Sequence, residues 1–204
     1  MEGVAEINSA ISFLDRIDKD LTLAVNGLHS PFTDAIWQLF SGVKIWYIMY
    51  LVIIVFFFVR LGWKRGLIVT LSCILLVVAC DQIANLVKLS VLRLRPLEDP
   101  DMVARGLHIL EKSDGHLYGF FSAHAANAMG FAVCSSMGFK NDSKRRYKGY
   151  TTLIIIWAVL VAVSRIFVGK HFAGDVLAGI IAGLLVGLLF GWLGQKACRL
   201  AVKD

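Results

Sequence analysis

Residues 164–175 place four ionisable side chains between two long apolar stretches: Arg165, Lys170, His171 and Asp175. A membrane interior penalises each such group by about a few kcal/mol, so a cluster at its boundary indicates a functional site. His171 and Asp175 are four residues apart and share one face of a helix. A carboxylate that holds one imidazole nitrogen leaves the other free as a base or nucleophile. Arg165 offers a planar fork that fits a phosphate. The segment therefore predicts phosphate chemistry at a membrane surface.

Two further clusters flank apolar stretches. Lys88 and Arg95 are seven residues apart and point along the same helix face. Ser122 and His124 open an apolar helix, whose exposed N–H groups favour an anion. Taken singly, the three cations at this span end are interpreted as snorkelling side chains: Lys88, Arg93 and Arg95. Likewise, Ser122 alone is typical of a helix cap and His124 alone of an interfacial histidine. Because alternating membrane crossings bring all three clusters to one side, we predict a single phosphate site.

The composition predicts an integral membrane protein of the all-α class. Of 204 residues, 57% are hydrophobic, and mean hydropathy is +0.69, against about 45–50% apolar residues in average chains. The apolar residues form blocks that we assign to five spans of a polytopic transmembrane helix bundle. The four cysteines contain no CxxC pair and indicate packing. The predicted spans are residues 44–60, 65–94, 122–138, 149–164 and 172–194.

We predict one domain over residues 1–204, with the bundle at 43–195 and a cytoplasmic tail at 196–204. Residues 1–42 carry wide polar stripes, which favour helices lying in the membrane interface. A sixth span within 21–42 is the alternative, although Asn26, His29 and Asp34 would fall inside it. Nothing in the first residues matches a cleavable signal peptide.

The basic residues are concentrated in short segments at 60–65, 140–148 and 196–203. Under the positive-inside rule these segments face the cytoplasm, so the predicted site faces the periplasm or the cell exterior. The net charge of +6 then reflects topology beside anionic lipid, and we exclude nucleic acid as a partner. The small chain with short loops indicates a bacterial cytoplasmic (inner) membrane protein, with no obligate protein partner inferred.

These motifs resemble those of the type 2 phosphatidic acid phosphatases (PAP2), a family of membrane lipid phosphatases. The family motif KxxxxxxRP matches Lys88 to Pro96, and SRxxxxxHxxxD matches Ser164 to Asp175. The third motif, PSGH, departs from the pattern, because Phe121 replaces proline and Ala123 replaces glycine. The resemblance covers about residues 60–195.

The resemblance implies a hydrolysis in two steps that needs no metal or other cofactor. His171 would attack phosphorus while Asp175 holds its imidazole, and His124 would protonate the leaving oxygen and then activate water. The remaining site residues would bind the phosphoryl oxygens: Lys88, Arg95, Arg165, Ser122 and the backbone N–H of Ala123. We expect His171 to lie at a water-facing end of a span. Intramembrane Asp81 either orients Lys88 or bridges helices as a polar contact.

The substrate class is a lipid phosphate or diphosphate. Undecaprenyl diphosphate, phosphatidylglycerophosphate, phosphatidic acid and a lipid A phosphate all fit the motifs. A lipid phosphotransferase, which passes the phosphoryl group to an alcohol, is one alternative. A non-catalytic lipid-phosphate binder or transporter is the other, and the departures at Phe121 and Ala123 are its only support.

Overall fold

The computed structural model describes residues 2–113 and 115–201. Within them the regular structure is helical, with short 3-10 turns at Lys44–Trp46 and Pro96–Glu98 and no strand. This confirms the predicted all-α class. The α-helices are α1 (Glu2–Asn26), α2 (Pro31–Ser41), α3 (Tyr47–Val91), α4 (Pro100–Ala104), α5 (Ala123–Phe139), α6 (Lys148–Phe167) and α7 (Ala173–Ala201).

Helix α3 folds back on itself at Gly62. The backbone there has φ 75° and ψ 170°, a conformation that glycine adopts without a Cβ clash. A Cβ on Gly66 would lie 3.0 Å from the Phe58 Cα, whereas eight residues of straight helix would span about 12 Å. Two antiparallel arms, residues 47–61 and 63–91, therefore take the place of the predicted spans 44–60 and 65–94.

Three helical segments are long and apolar enough to cross a membrane: Lys44–Val91, Lys148–Phe167 and Ala173–Ala201. Their outward faces carry leucine, isoleucine and valine side chains that are largely exposed, as expected where lipid rather than water surrounds a bundle. Helix α5 is shorter, with 17 residues, and is mostly buried. The chain is thus an integral membrane protein, and the count of five or six crossings stays a prediction.

Helix α5 forms the centre of the bundle and packs on α3, α6 and especially α7. The α5–α7 contact is close because α7 carries buried glycines four residues apart. A Cβ on Gly179 would lie 2.5 Å from the Ser122 carbonyl oxygen, and one on Gly187 would lie 2.8 Å from that of Gly130. Small residues at such spacing let helix backbones approach in membranes. The contact holds the start of α5 against the start of α7.

The basic segments meet at the end of the bundle opposite the predicted site. Arg60 donates to Asp142 and to the Tyr147 hydroxyl, both at 2.8 Å, so the α3 turn joins the loop between α5 and α6. Cys198 near the end of α7 approaches the Arg65 carbonyl oxygen. The structure therefore groups the basic segments as the alternation of spans predicted.

Helices α1 and α2 form a separate layer over the other end of the bundle. Residues 27–30 are not helical and separate α1 from α2, so no continuous helix spans residues 21–42. The 11 residues of α2 extend about 16 Å, short of the ~30 Å of a bilayer core. Trp37 of α2 stacks on Phe167 with ring centroids 4.3 Å apart, and the Asn26 amide donates to the Ile166 carbonyl at 3.1 Å.

Candidate active site

A cavity of about 740 Å³ opens between the arms of α3, the start of α5 and the end of α6. Six of the eight predicted site residues reach its wall: Lys88, Arg95, Ala123, His124, Arg165 and His171. The rest of the wall is mostly apolar and includes Ile74, Phe131 and Trp157. Positive charge and imidazoles thus share one chamber with a surface suited to hydrocarbon.

His171 lies on the short connection between α6 and α7, and Asp175 lies in the first turn of α7. The His171 Nδ1 is 3.5 Å from the Asp175 Oδ2, which also accepts the Phe172 N–H at 3.1 Å. A Cβ on Gly119 would lie 3.0 Å from that same oxygen, so a larger residue at this position would crowd the carboxylate. The Nδ1 of His171 therefore faces Asp175, and Nε2 is the nitrogen left for the cavity.

His171 is only 2% exposed, so the expected water-facing position was wrong. The loop before α5 covers this end of the bundle, and the backbone of Gly119 closes over the imidazole. Burial is the main influence and lowers the pKa of His171 to about 4, although the contact with Asp175 opposes the shift. A lowered pKa favours the neutral imidazole at pH 7, as the predicted role of nucleophile requires.

The arginines of the site are held by the loop and by α2. Arg165 is 4% exposed; its guanidinium donates to the Ser41 hydroxyl and lies 3.7 Å from the Glu111 carboxylate. Arg95 donates from Nε to the Tyr118 carbonyl at 3.3 Å. Fixed cations of this kind need little reorganisation when an anion binds.

The chain turns sharply between Lys88 and Arg95. Helix α3 ends at Val91, three residues before the predicted boundary, because Leu92 adopts a left-handed conformation with φ 54°. Lys88 stays in the last turn of the helix, and Arg95 lies in the extended segment that follows. Both side chains still reach the cavity, so their convergence comes from the turn rather than from the shared helix face that their spacing suggested.

Ser122 and Ala123 have different environments. Ser122 is fully buried and caps α5 by accepting the Ala125 N–H at 3.4 Å, and it is not part of the cavity wall. Ala123 is the first helical residue of α5, so this position does not need the positive φ that only glycine adopts readily. The Gly-to-Ala departure therefore leaves the backbone N–H available.

Sequence reasoning missed three residues that hold the site: Arg93, Ser41 and Glu111. Arg93 donates to the Asp175 Oδ1 at 2.8 Å, yet its place beside Lys88 and Arg95 had suggested only a cation at the end of a span. Its neighbourhood in the first motif was the one available signal. Ser41 and Glu111 carry no sequence signal, because they meet Arg165 from segments far away in the chain.

Asp81 accepts a hydrogen bond from the Asn127 amide at 2.8 Å. The bond joins α3 to α5 and matches the interpretation of Asp81 as a polar bridge between helices. Both residues, together with Asn85, line the cavity. They add a polar band to walls that are otherwise apolar.

Among the described residues, the one group with the composition of a metal site is His29, Asp34 and His108. Its geometry is explained by protein contacts, since the two imidazole rings stack at 3.7 Å and His108 Nε2 lies 3.0 Å from Asp34 Oδ2. These residues do not line the cavity. We therefore assign the cluster to the connection between α2 and the loop before α5.

Comparisons with known proteins agree with this geometry. A family model described as the PAP2 superfamily matches residues 66–198. The chain is 34% identical over 170 residues to the lipid A 4'-phosphatase of Bacteroides thetaiotaomicron, covering 83% of this chain and 73% of that protein. It is 32% identical to the lipid A 4'-phosphatase of Porphyromonas gingivalis, covering 83% and 70%.

Two solved structures share the fold. One is the PAP2-type phosphatidylglycerolphosphate phosphatase of Bacillus subtilis, with a TM-score of 0.70, 19% identity, and coverage of 90% of this chain and 87% of that one. The other is LpxE of Aquifex aeolicus, with a TM-score of 0.59, 18% identity, and coverage of 87% and 93%.

Proposed function

The chain belongs to the PAP2 superfamily. From this premise we propose that it hydrolyses a phosphate monoester on a glycolipid of the lipid A class and releases inorganic phosphate. The observation that carries the proposal is the cavity itself, in which cations and the imidazoles of His116, His124 and His171 adjoin an apolar wall. Such a chamber suits a phosphorylated head group with hydrocarbon chains. The similarity to two lipid A 4'-phosphatases supports this head group over the other lipid phosphates that the motifs allow.

In the first step, His171 Nε2 attacks phosphorus and a P–N bond forms as the bond to the lipid oxygen breaks. Asp175, facing Nδ1 at 3.5 Å, stabilises the charge that develops on the imidazole. His124, on the wall of the same cavity, gives its proton to the leaving oxygen. In the second step, His124 takes a proton from water, the hydroxide attacks phosphorus, and inorganic phosphate and free His171 result.

Lys88, Arg95 and Arg165 balance the charge of the phosphoryl oxygens through both steps. Protein contacts hold Arg95 and Arg165 before substrate arrives, which is the condition under which electrostatic stabilisation is largest. The N-terminus of α5 adds the Ala123 N–H, while Ser122 contributes through its cap of that helix. These groups occupy the role that a divalent cation has in other phosphoryl-transfer sites, so the proposal includes no metal.

The test is phosphate release from detergent-solubilised protein, measured on a panel of lipid A-type, phosphatidylglycerophosphate, phosphatidate and polyprenyl diphosphate substrates. We expect the highest kcat/KM on the lipid A-type monoester, no loss of rate in EDTA, and inhibition by vanadate. The substitution His171→Ala should lower the rate of phosphate release at least about a hundredfold. Retention of a tenth of the wild-type rate by this variant would exclude His171 as the nucleophile.

The same assay separates the alternatives. A phosphotransferase would release little phosphate until an alcohol acceptor is added, and a binder would release none while still protecting the lipid from other phosphatases. EDTA-sensitive activity that is restored by Mg²⁺ would contradict the metal-free step. A preference for polyprenyl diphosphate would keep the chemistry and change the substrate.

A further inference from the structure

The first helix of the chain completes the N-terminus of α7. The first N–H groups of a helix lack partners within it, and side chains just before the helix usually supply them. Here α1 supplies them, more than 150 residues away in sequence: the Ala173 N–H donates to Thr22 Oγ1 at 2.9 Å, and the Gly174 N–H donates to Asp18 Oδ1 at 2.7 Å. Thr22 is fully buried. Helix α1 therefore fixes the turn of α7 that carries Asp175.

Arg93 connects the same helix to the catalytic carboxylate. One of its nitrogens donates to the Asp175 Oδ1 at 2.8 Å, and the other lies 2.7 Å from the Asp18 Oδ2. Its guanidinium also lies over the Phe172 ring, 4.1 Å from the centroid. The two oxygens of each carboxylate therefore have different partners. Asp18 contacts the Gly174 N–H with Oδ1 and Arg93 with Oδ2. Asp175 contacts Arg93 with Oδ1 and faces His171 with Oδ2.

The charges explain why this arrangement matters. Asp175 is fully buried, and a buried carboxylate without a paired cation is strongly disfavoured. Arg93 supplies that cation. Asp18 holds Arg93 from the opposite side at 2.7 Å, and Asp15 accepts from the same nitrogen at the longer distance of 3.2 Å. Without the charge of Asp18, only the contact to Asp15 remains on that side, and we expect the guanidinium to turn toward both oxygens of Asp175, because a bidentate arginine–carboxylate pair is the favoured geometry. That shift would withdraw Oδ2 from His171.

We infer that α1 is part of the active site, and that Asp18 and Arg93 are positioning residues that orient the Asp175–His171 pair. Neither residue lines the cavity, so both act through Asp175 rather than on the substrate. Asp18 and Thr22 also lie outside residues 66–198, which match the family model. The expected effect on kcat rests on the proposed function. The expected effect on the orientation of His171 rests only on the contacts described above.

The central experiment compares Asp18→Asn with Asp20→Asn. Asparagine keeps the size of the side chain and an acceptor for the Gly174 N–H, but it loses the closer of the two α1 charges that hold Arg93. Asp20 is on the same helix and pairs with Arg105, so its variant controls for altered charge on α1. We expect Asp18→Asn to lower kcat about tenfold or more with KM little changed, the scale on which partners behind a functional histidine usually act. Asp20→Asn should match the wild type.

Two further variants separate positioning from simple stability. Thr22→Val removes the acceptor of the Ala173 N–H and leaves the partners of Arg93 in place. We expect this variant to lower the thermal midpoint of unfolding while kcat stays close to the wild-type value. Asp18→Glu restores the charge and should recover part of the rate lost in Asp18→Asn. Equal kcat for Asp18→Asn and Asp20→Asn would overturn the inference, as would a rate loss that only follows the fraction of folded protein.

A second readout does not depend on turnover. In protein labelled with ¹⁵N-histidine and held in detergent micelles, the His171 resonances report which ring nitrogen carries the proton, with assignment by His171→Gln. We expect the Nδ1–H tautomer in the wild type and a mixture of tautomers in Asp18→Asn. If the wild type releases no phosphate, the proposed function fails, and this comparison still decides the positioning role. Unchanged tautomers in Asp18→Asn would refute it.

Discussion

At the scale of single residues, burial and charge act on His171 in opposite directions. Removal from water disfavours the imidazolium, while Asp175 favours it, and burial is the larger influence on the pKa. In the proposed mechanism, the neutral ring keeps a lone pair on Nε2, and Asp175 stabilises the positive charge once a bond to phosphorus forms. The same environment of His171 would therefore suit both the resting state and the proposed intermediate.

The lowered pKa has a direct test by NMR titration of ¹⁵N-histidine-labelled protein. We expect His171 to titrate near pH 4, because its pKa is lowered to about 4, rather than near the usual ~6.5. The native state then binds fewer protons than the unfolded chain between these values, so stability falls as the pH falls through that window. Asp175→Asn should lower the pKa further, and a midpoint near 6.5 in the wild type would contradict the burial argument.

Two pairs of site residues could be predicted from the sequence, because each pair lies within one short segment. These pairs are His171 with Asp175 and Lys88 with Arg95. Arg93 with Asp18, and Arg165 with Glu111, escaped prediction because their partners come from distant segments. A carboxylate on an amphipathic helix such as α1 looks like a solvated surface group until the fold brings it to a helix end. The burial of His171 was missed for the same reason, since the covering loop has no periodic signal.

At the scale of elements, the contact between α5 and α7 sets the distance between the two histidines that we propose to be catalytic. His124 lies in the first turn of α5, and the Ser122 N–H donates to the Asp175 carbonyl at 3.0 Å. The glycines of α7 make this approach possible, although the apolar content of the segment had indicated only a span. The turn at Gly62 has a similar role, because it brings the second arm of α3 against α5.

Gly183→Ala tests the close approach. A Cβ on Gly183 would overlap the Ala126 carbonyl oxygen, so the helices must separate, at a cost of about 1–3 kcal/mol or more. We expect a lower thermal midpoint in detergent and reduced phosphate release, because His124 moves relative to Asp175. Gly149→Ala is the matched control, since its Cβ meets no atom within 4 Å and alanine favours the helix. Equal midpoints for the two variants would contradict the packing argument.

At the scale of the whole molecule, the charge distribution divides the bundle into two ends. The turn at Gly62, the loop after α5 and the end of α7 hold basic residues at one end of the bundle. The cations and histidines of the cavity wall lie at the other end. Positive charge in short loops favours the cytoplasmic side. We therefore propose that the cavity faces the periplasm or exterior and draws its substrate from the outer leaflet of the cytoplasmic membrane.

Cysteine labelling on intact cells tests this orientation. Lys112 is exposed in the loop on the cavity side, and Ser143 is exposed in the loop at the basic end. The four native cysteines are free but buried, so their background labelling should be low. We expect a membrane-impermeant thiol reagent to label Lys112→Cys in intact cells and Ser143→Cys only after permeabilisation. The reverse pattern would place the cavity in the cytoplasm and exclude outer-leaflet substrates, while leaving the phosphohistidine chemistry intact.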